Sequence, residues 1–148
     1  MTFQLIATLC SALFTGAAIY INLVEHPARM SLGTAVALAE WKPSYRRATV
    51  MQASLAIAGL VGALGAWLVG AGRAWLLGGL VLGAVVPFTL LVIWTTNEQL
   101  QGLDPTAEGD LDRAHVLLQR WNRLHAVRSL LSLTALVMFL VAAPLAGS

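Results

Sequence analysis

Residues 74–97 read AWLLGGLVLGAVVPFTLLVIWTTN, an apolar stretch that opens after Arg73 and closes at Glu98. A helix needs roughly 20 apolar residues to cross the hydrocarbon of a bilayer. Backbone N–H and C=O groups cannot go unpaired in lipid, so the stretch is read as helix, not strand. Three more uncharged runs flank it. Residues 2–24 are closed by Glu25-His26-Pro27, residues 48–72 by Arg73, and residues 129–148 carry Pro144, which is expected to end the last helix. The predicted fold class is all-α. It is a four-transmembrane-helix bundle in one integral membrane domain over residues 1–148, with helices near 2–26, 46–71, 74–97 and 110–143.

Composition agrees with that reading. Hydrophobic residues make up 58% of the 148 and charged residues 11%, against about 25% charged in soluble domains. Too little polar surface exists to cover such a chain in water. The net charge of +2 is small, and no Lys/Arg cluster is interleaved with exposed aromatics, so nucleic acid is excluded as a partner. The lone Cys10 can form no intrachain disulfide. It lies in an apolar helix, where cysteine acts as a small hydrophobe. Leu9 before it and the lack of upstream basic residues argue against lipidation. The N-terminus has no basic region, and its apolar run is too long for a signal peptide. It is read as a retained membrane helix.

Small residues recur along the second run at Ser54, Ala58, Gly62, Ala66 and Gly70, each four apart, and again at Gly79 and Gly83. That spacing predicts close helix packing, within one bundle or between copies in a homo-oligomer. The connection around Arg73 is short, which makes its two helices antiparallel neighbours. Pro87 removes a donor and disturbs the Gly83 carbonyl, predicting a kink. Residues 102–109 read as a loop. From about Asp110 a helical pattern leads straight into the fourth span as a long amphipathic extension.

Eight of the nine Lys/Arg residues fall in connections one and three; only Arg73 lies opposite. The positive-inside rule then places those connections in the cytoplasm and both termini outside, as for a multi-pass protein of a bacterial inner membrane. All seven acidic residues and all three histidines share that side. Asp104, Glu108, Asp110 and Asp112 are expected to be solvated.

Four helix ends converge there, and side chains at the ends of a bundle can share one cavity. The candidates are Asn22, Glu25 and His26 from the first helix, and Trp41, Tyr45 and Arg46 from the second. The third helix contributes Asn97, and the fourth contributes Trp121, His125 and Arg128. Trp121, His125 and Arg128 are spaced by four and three, so they share a helix face. Plainer readings stand beside this one. Trp41, Trp121 and Tyr45 suit an interfacial aromatic belt. Arg46 and Arg47 suit snorkelling anchors, and Asn97 a helix C-cap. Arg128 sits at the edge of an apolar run, where a charge needs a partner; Glu25 is the available carboxylate. No HxxxH or ExxH spacing favours a metal, and a site would have to combine Glu25, His26 and His125 across helices.

The motif string resembles the anthrone oxygenase family. The resemblance is carried by Gly16 and Tyr20, Val24-Glu25-His26-Pro27-Ala28, Trp41, and Tyr45-Arg46-Arg47-Ala48. It continues through Pro87-Phe88-Thr89, Asn97-Glu98-Gln99-Leu100 and Trp121-Asn122-Arg123-Leu124-His125-Ala126-Val127-Arg128. It implies a small four-helix membrane oxidoreductase, a monooxygenase that oxidises anthrones to anthraquinones. The expected partners are membrane lipid, a flat apolar aromatic substrate and O2. No cofactor is required in this reading, because an anthrone carbanion can itself reduce oxygen. His26 or His125 would be the general base, held by Glu25. Arg128 with Asn97 or Tyr45 would stabilise the oxyanion, and Trp41 and Trp121 would stack on the rings. The sequence leaves open which histidine is the base. Two other readings remain: a transition-metal or haem redox protein with His26 and His125 as ligands, and a non-catalytic small-molecule binder.

Overall fold

A computed structural model describes residues 1–145; residues 146–148, the tail of the fourth apolar run, lie outside the described residues. Four helices are long and apolar enough to cross a membrane. They are α1 (Thr2–Ser31), α2 (Thr34–Leu68), α3 (Arg73–Gly102) and α4 (Glu108–Leu145). No strand occurs among the described residues. α1 packs on α2 and α4, and α3 packs on the same two helices. Many large apolar side chains point outward along the spans, among them Leu13, Ile57, Leu80, Leu91 and Leu140. That is the pattern expected of a bundle solvated by lipid.

The helices run past the expected ends. α2 begins at Thr34, well before residue 46, and passes through Pro43 unbroken. α1 continues through Pro27 to Ser31, and α3 continues to Gly102. At 1.5 Å per residue, the 35 residues of α2 span about 50 Å, against about 30 Å of hydrocarbon. The excess forms a head beyond the apolar spans, with its own core. Ala37, Leu38 and Trp41 of α2 meet Leu100, Leu103, Ala114, Leu117, Leu118 and Trp121 there. Charges at Arg46 and Arg47 end the apolar run but not the helix, because burial of the other face holds it together. Lys42 Nζ donates to the carbonyls of Gln101 (3.0 Å) and Leu103, tying the head to the end of α3.

The loop after α3 is more ordered than mere solvation implies. Asp104 accepts from the backbone N–H (2.8 Å) and hydroxyl (2.7 Å) of Thr106. Those bonds hold its carboxyl below the usual carboxylate range. Asp110 accepts from the Asp104 N–H at 2.8 Å.

Two wide π-helical turns interrupt the spans, at Ile21–Glu25 in α1 and Thr89–Ile93 in α3. Pro27 and Pro87 lie close to them. α3 breaks its regular pattern at Ala84, between Gly83 and Pro87, as the proline predicts. Thr89 Oγ1 donates to the Val85 carbonyl at 2.7 Å, alongside its own backbone N–H.

The four-residue ladder in α2 is only partly an interface. Gly62 and Ala66 are buried, but Ser54, Ala58 and Gly70 are exposed. A step of four advances 400° and drifts about 40° each time, so the stripe winds off the contact face. The buried set is instead Gln52, Ala56, Gly59, Gly62, Ala63 and Ala66. A Cβ on Gly62 would lie 2.9 Å from the backbone N of Ala7. A Cβ on Gly79 would lie 2.6 Å from Ala63 Cβ. These glycines serve contacts within the chain. Gly62→Ala is expected to destabilise the bundle by about 1–3 kcal/mol, because backbone cannot yield as a side chain can. Denaturant titration in detergent micelles checks this, and wild-type stability would contradict it.

Candidate active site

The residues gather where the head meets the spans. The imidazole of His125 on α4 is 1% exposed. Its Nδ1 lies 2.9 Å from Asn22 Oδ1 on α1. The amide of Asn22 fixes the direction of that bond. Its Nδ2 donates to Asn122 Oδ1 at 2.7 Å and to the Asn122 carbonyl at 3.0 Å, so Oδ1 must be the acceptor. Ser129 Oγ also donates to it at 2.6 Å. His125 therefore carries its proton on Nδ1, and the lone pair sits on Nε2.

Arg128 follows one turn later. Its Nη2 donates to Gln52 Oε1 on α2 at 2.8 Å. The guanidinium carbon lies 5.6 Å from the centroid of the Phe14 ring, a cation–π contact. The expected Arg128–Glu25 ion pair does not form. Glu25 is held instead by Arg29, four residues on in the same helix, and by Ser44 Oγ at 2.9 Å. Arg29 is 5% exposed and also meets Glu40 Oε2 through Nε at 2.7 Å. A cation one helical turn away, Arg29, reaches the Glu25 carboxylate first, so Arg128 takes a neutral amide and an aromatic face.

An aromatic stack covers this cluster. Trp41 lies on Tyr45, with centroids 4.9 Å apart and planes 10° apart. Trp121 meets Trp41 edge-on at 5.8 Å and leans on His125 at 4.8 Å. Trp41 is wholly buried, so it is a core aromatic and not part of an interfacial belt. Asn97 Nδ2 reaches Tyr45 Oη at 3.1 Å across from α3, which makes it a tertiary contact and not a helix cap. His26 packs on Trp121 with centroids 5.9 Å apart, and its buried Nδ1 has no partner among the described residues. Arg46 is exposed and joins none of these contacts.

An internal cavity of about 20 Å³ is lined by Glu25, Arg29, Tyr45, Gln52, His125 and Arg128, among others. His26, Asn22, Asn97 and Arg46 do not line it. Its volume suits about one water molecule. Two donors at its wall, Arg128 Nε and Gln52 Nε2, are buried without a protein partner among the described residues. Beside it, between α1 and α2, lies an open groove of about 550 Å³. Among the described residues, no group of three or more His, Cys, Asp or Glu is placed to hold a metal ion.

The comparison with known families fits this assembly, because the profile of the anthrone oxygenase family matches residues 41–138, well over half of the chain. The chain belongs to the anthrone oxygenase family. The match opens at Trp41 and includes Tyr45, Gln52, Trp121, His125 and Arg128. α1, with Asn22, Glu25 and His26, lies outside the matched segment. No curated protein and no solved structure matches the chain.

Four residues of this cluster carry no assignment from the sequence alone. Arg29 was hidden because Pro27 marked a helix end, although its spacing of four from Glu25 was visible. Gln52, the polar interruption of an apolar run, was a usable signal. Ser44 and Asn122 carried none, since only the fold shows what they touch.

Proposed function

We propose that the protein is a membrane-embedded oxygenase of flat, apolar phenolic substrates of the anthrone type, with His125 as the general base. The observation that carries this is the combination at one cavity. The His125 imidazole is held through Nδ1 by the Asn22 amide oxygen, and beside it stand two buried donors with no protein partner among the described residues, Arg128 Nε and Gln52 Nε2.

His125 Nε2 takes a proton from the ring CH2 flanked by the aromatic rings. The electron pair left behind delocalises onto the carbonyl oxygen, and the Arg128 and Gln52 donors stabilise that oxyanion. The carbanion then reduces O2: a C–O bond forms, and loss of water leaves a second carbonyl. Substrate plus O2 gives quinone plus water, so the reducing electrons come from the substrate and no resident cofactor is needed. The placement in a bacterial inner membrane, with connections one and three in the cytoplasm and both termini outside, belongs to the same reading. It is supported by the Lys/Arg asymmetry.

Oxygen uptake tests the activity. Purified protein in detergent, given a dihydroxyanthrone, is expected to consume one O2 per quinone formed, well above the rate with heat-denatured protein. No uptake above that background would reject the oxygenase. Uptake that depends on a stoichiometric metal or haem, seen by metal analysis and absorption spectrum, would favour the redox alternative.

A further inference from the structure

We propose that the groove between α1 and α2 is the seat of a planar polycycle bearing phenol or carboxylate groups on one edge, reached sideways from the bilayer. In this scheme the Glu25–Ser44 hydrogen bond is the latch between groove and cavity. The proposal rests on the oxygenase reading for what happens beyond the latch, though not for the binding itself.

Size separates the two spaces. The His125 cavity, at about 20 Å³, holds about one water. The groove, at about 550 Å³, falls within the range of sites for drug-sized ligands. They share a wall: Ile21, Glu25, Ser44 and Ala48 line both. That wall is held by the Ser44 bond to Glu25 at 2.9 Å and by the Glu25–Arg29 pair. Ile21 and Glu25 are also the two ends of the π-helical turn, a feature common at functional sites, where a loosened ladder lets side chains shift.

The groove is graded along its length. Ala17 and Met51 line it at the level of the uncharged runs, while Glu40 and Arg47 line its other end. An amphiphilic polycycle would lie with its rings against the first pair and its acidic edge at the second. Glu40 is engaged by Arg29. Arg47 is exposed, with no ion pair among the described residues, so it is the cation available to that edge. This also gives Arg47 the substrate-facing place that the sequence had assigned to Arg46.

Titration of the full-length protein in detergent with a dihydroxyanthraquinone, followed by quenching of tryptophan fluorescence, tests the proposal. Ala17→Phe, which fills the groove, should weaken binding by about tenfold or more. Arg47→Gln should weaken the hydroxylated quinone but not unsubstituted anthraquinone. Leu140→Ala, at an exposed position of α4 outside the groove lining, should change neither. Wild-type affinity in both groove variants would overturn the proposal, as would no binding by wild-type protein, or displacement by phospholipid but not by a competing polycycle. Arg47 is exposed, so its variant remains informative if Ala17→Phe does not fold. The two readings fail separately. Wild-type KM in the groove variants with oxygen uptake intact removes the groove and leaves the oxygenase. Groove-dependent binding without oxygen uptake removes the oxygenase and leaves the seat.

Discussion

His125→Ala is expected to lower the rate of anthrone oxidation by about 10²–10⁴-fold, the usual contribution of a positioned general base, while His26→Ala leaves most of the rate. The difference follows from where each ring sits. His125 lines the cavity with Arg128 and Gln52, and its Nδ1 is committed to Asn22 at 2.9 Å, so Nε2 is free to accept a proton. His26 does not line that cavity and lies behind Trp121, 5.9 Å between centroids. Its substitution removes a packed ring and should register in stability more than in turnover. Initial rates of oxygen consumption for both variants, corrected for spontaneous autoxidation, decide between them. Equal losses, or a larger loss for His26→Ala, would sink the assignment of the base.

Trp41→Ala carries the largest expected loss of stability, about 3–5 kcal/mol, as for other fully buried aromatics cut to alanine. The indole is wholly buried, stacked on Tyr45 at 4.9 Å and edge-on to Trp121 at 5.8 Å. It also belongs to the core that joins α2 to the ends of α3 and α4. Removing it opens a cavity next to His125 and frees Tyr45, which anchors Asn97. Trp41→Phe should recover part of the loss. Thermal unfolding in detergent measures both, and a Trp41→Ala midpoint equal to wild type would show that the head is not held together as described.

The spans were legible because lipid leaves a chain few options. A long uncharged run has to be a helix, and four such runs have to bundle. Their ends were not legible by the same rule. Beyond the hydrocarbon a helix survives by tertiary burial, and the evidence for that in α2 was only Ala37, Leu38 and Trp41 among charges. In the site, Trp121, His125 and Arg128 were readable together because one helix face fixes their proximity. Glu25 was readable as a needed carboxylate, but its partner was not. Choosing Arg29 over Arg128 required knowing that α1 continues past Pro27. Arg46 and Arg47 differ by 100° around one helix, a distinction that depends on phase and is lost when the start of the helix is misplaced.

The wide turn at Ile21–Glu25 acts as a phase slip. Up to it, the buried positions of α1 advance in strides of one to four: Ala7, Ser11, Phe14, Thr15, Ala18 and Ile21. The next, His26, comes after a stride of five, and Arg29 follows three later. Continued in regular strides from Ile21, the inward position would have fallen on Val24 or Glu25, with His26 turned about 100° aside. One surplus residue thus decides which of two neighbouring side chains the bundle encloses, and a helical wheel drawn across the whole of α1 averages that choice away.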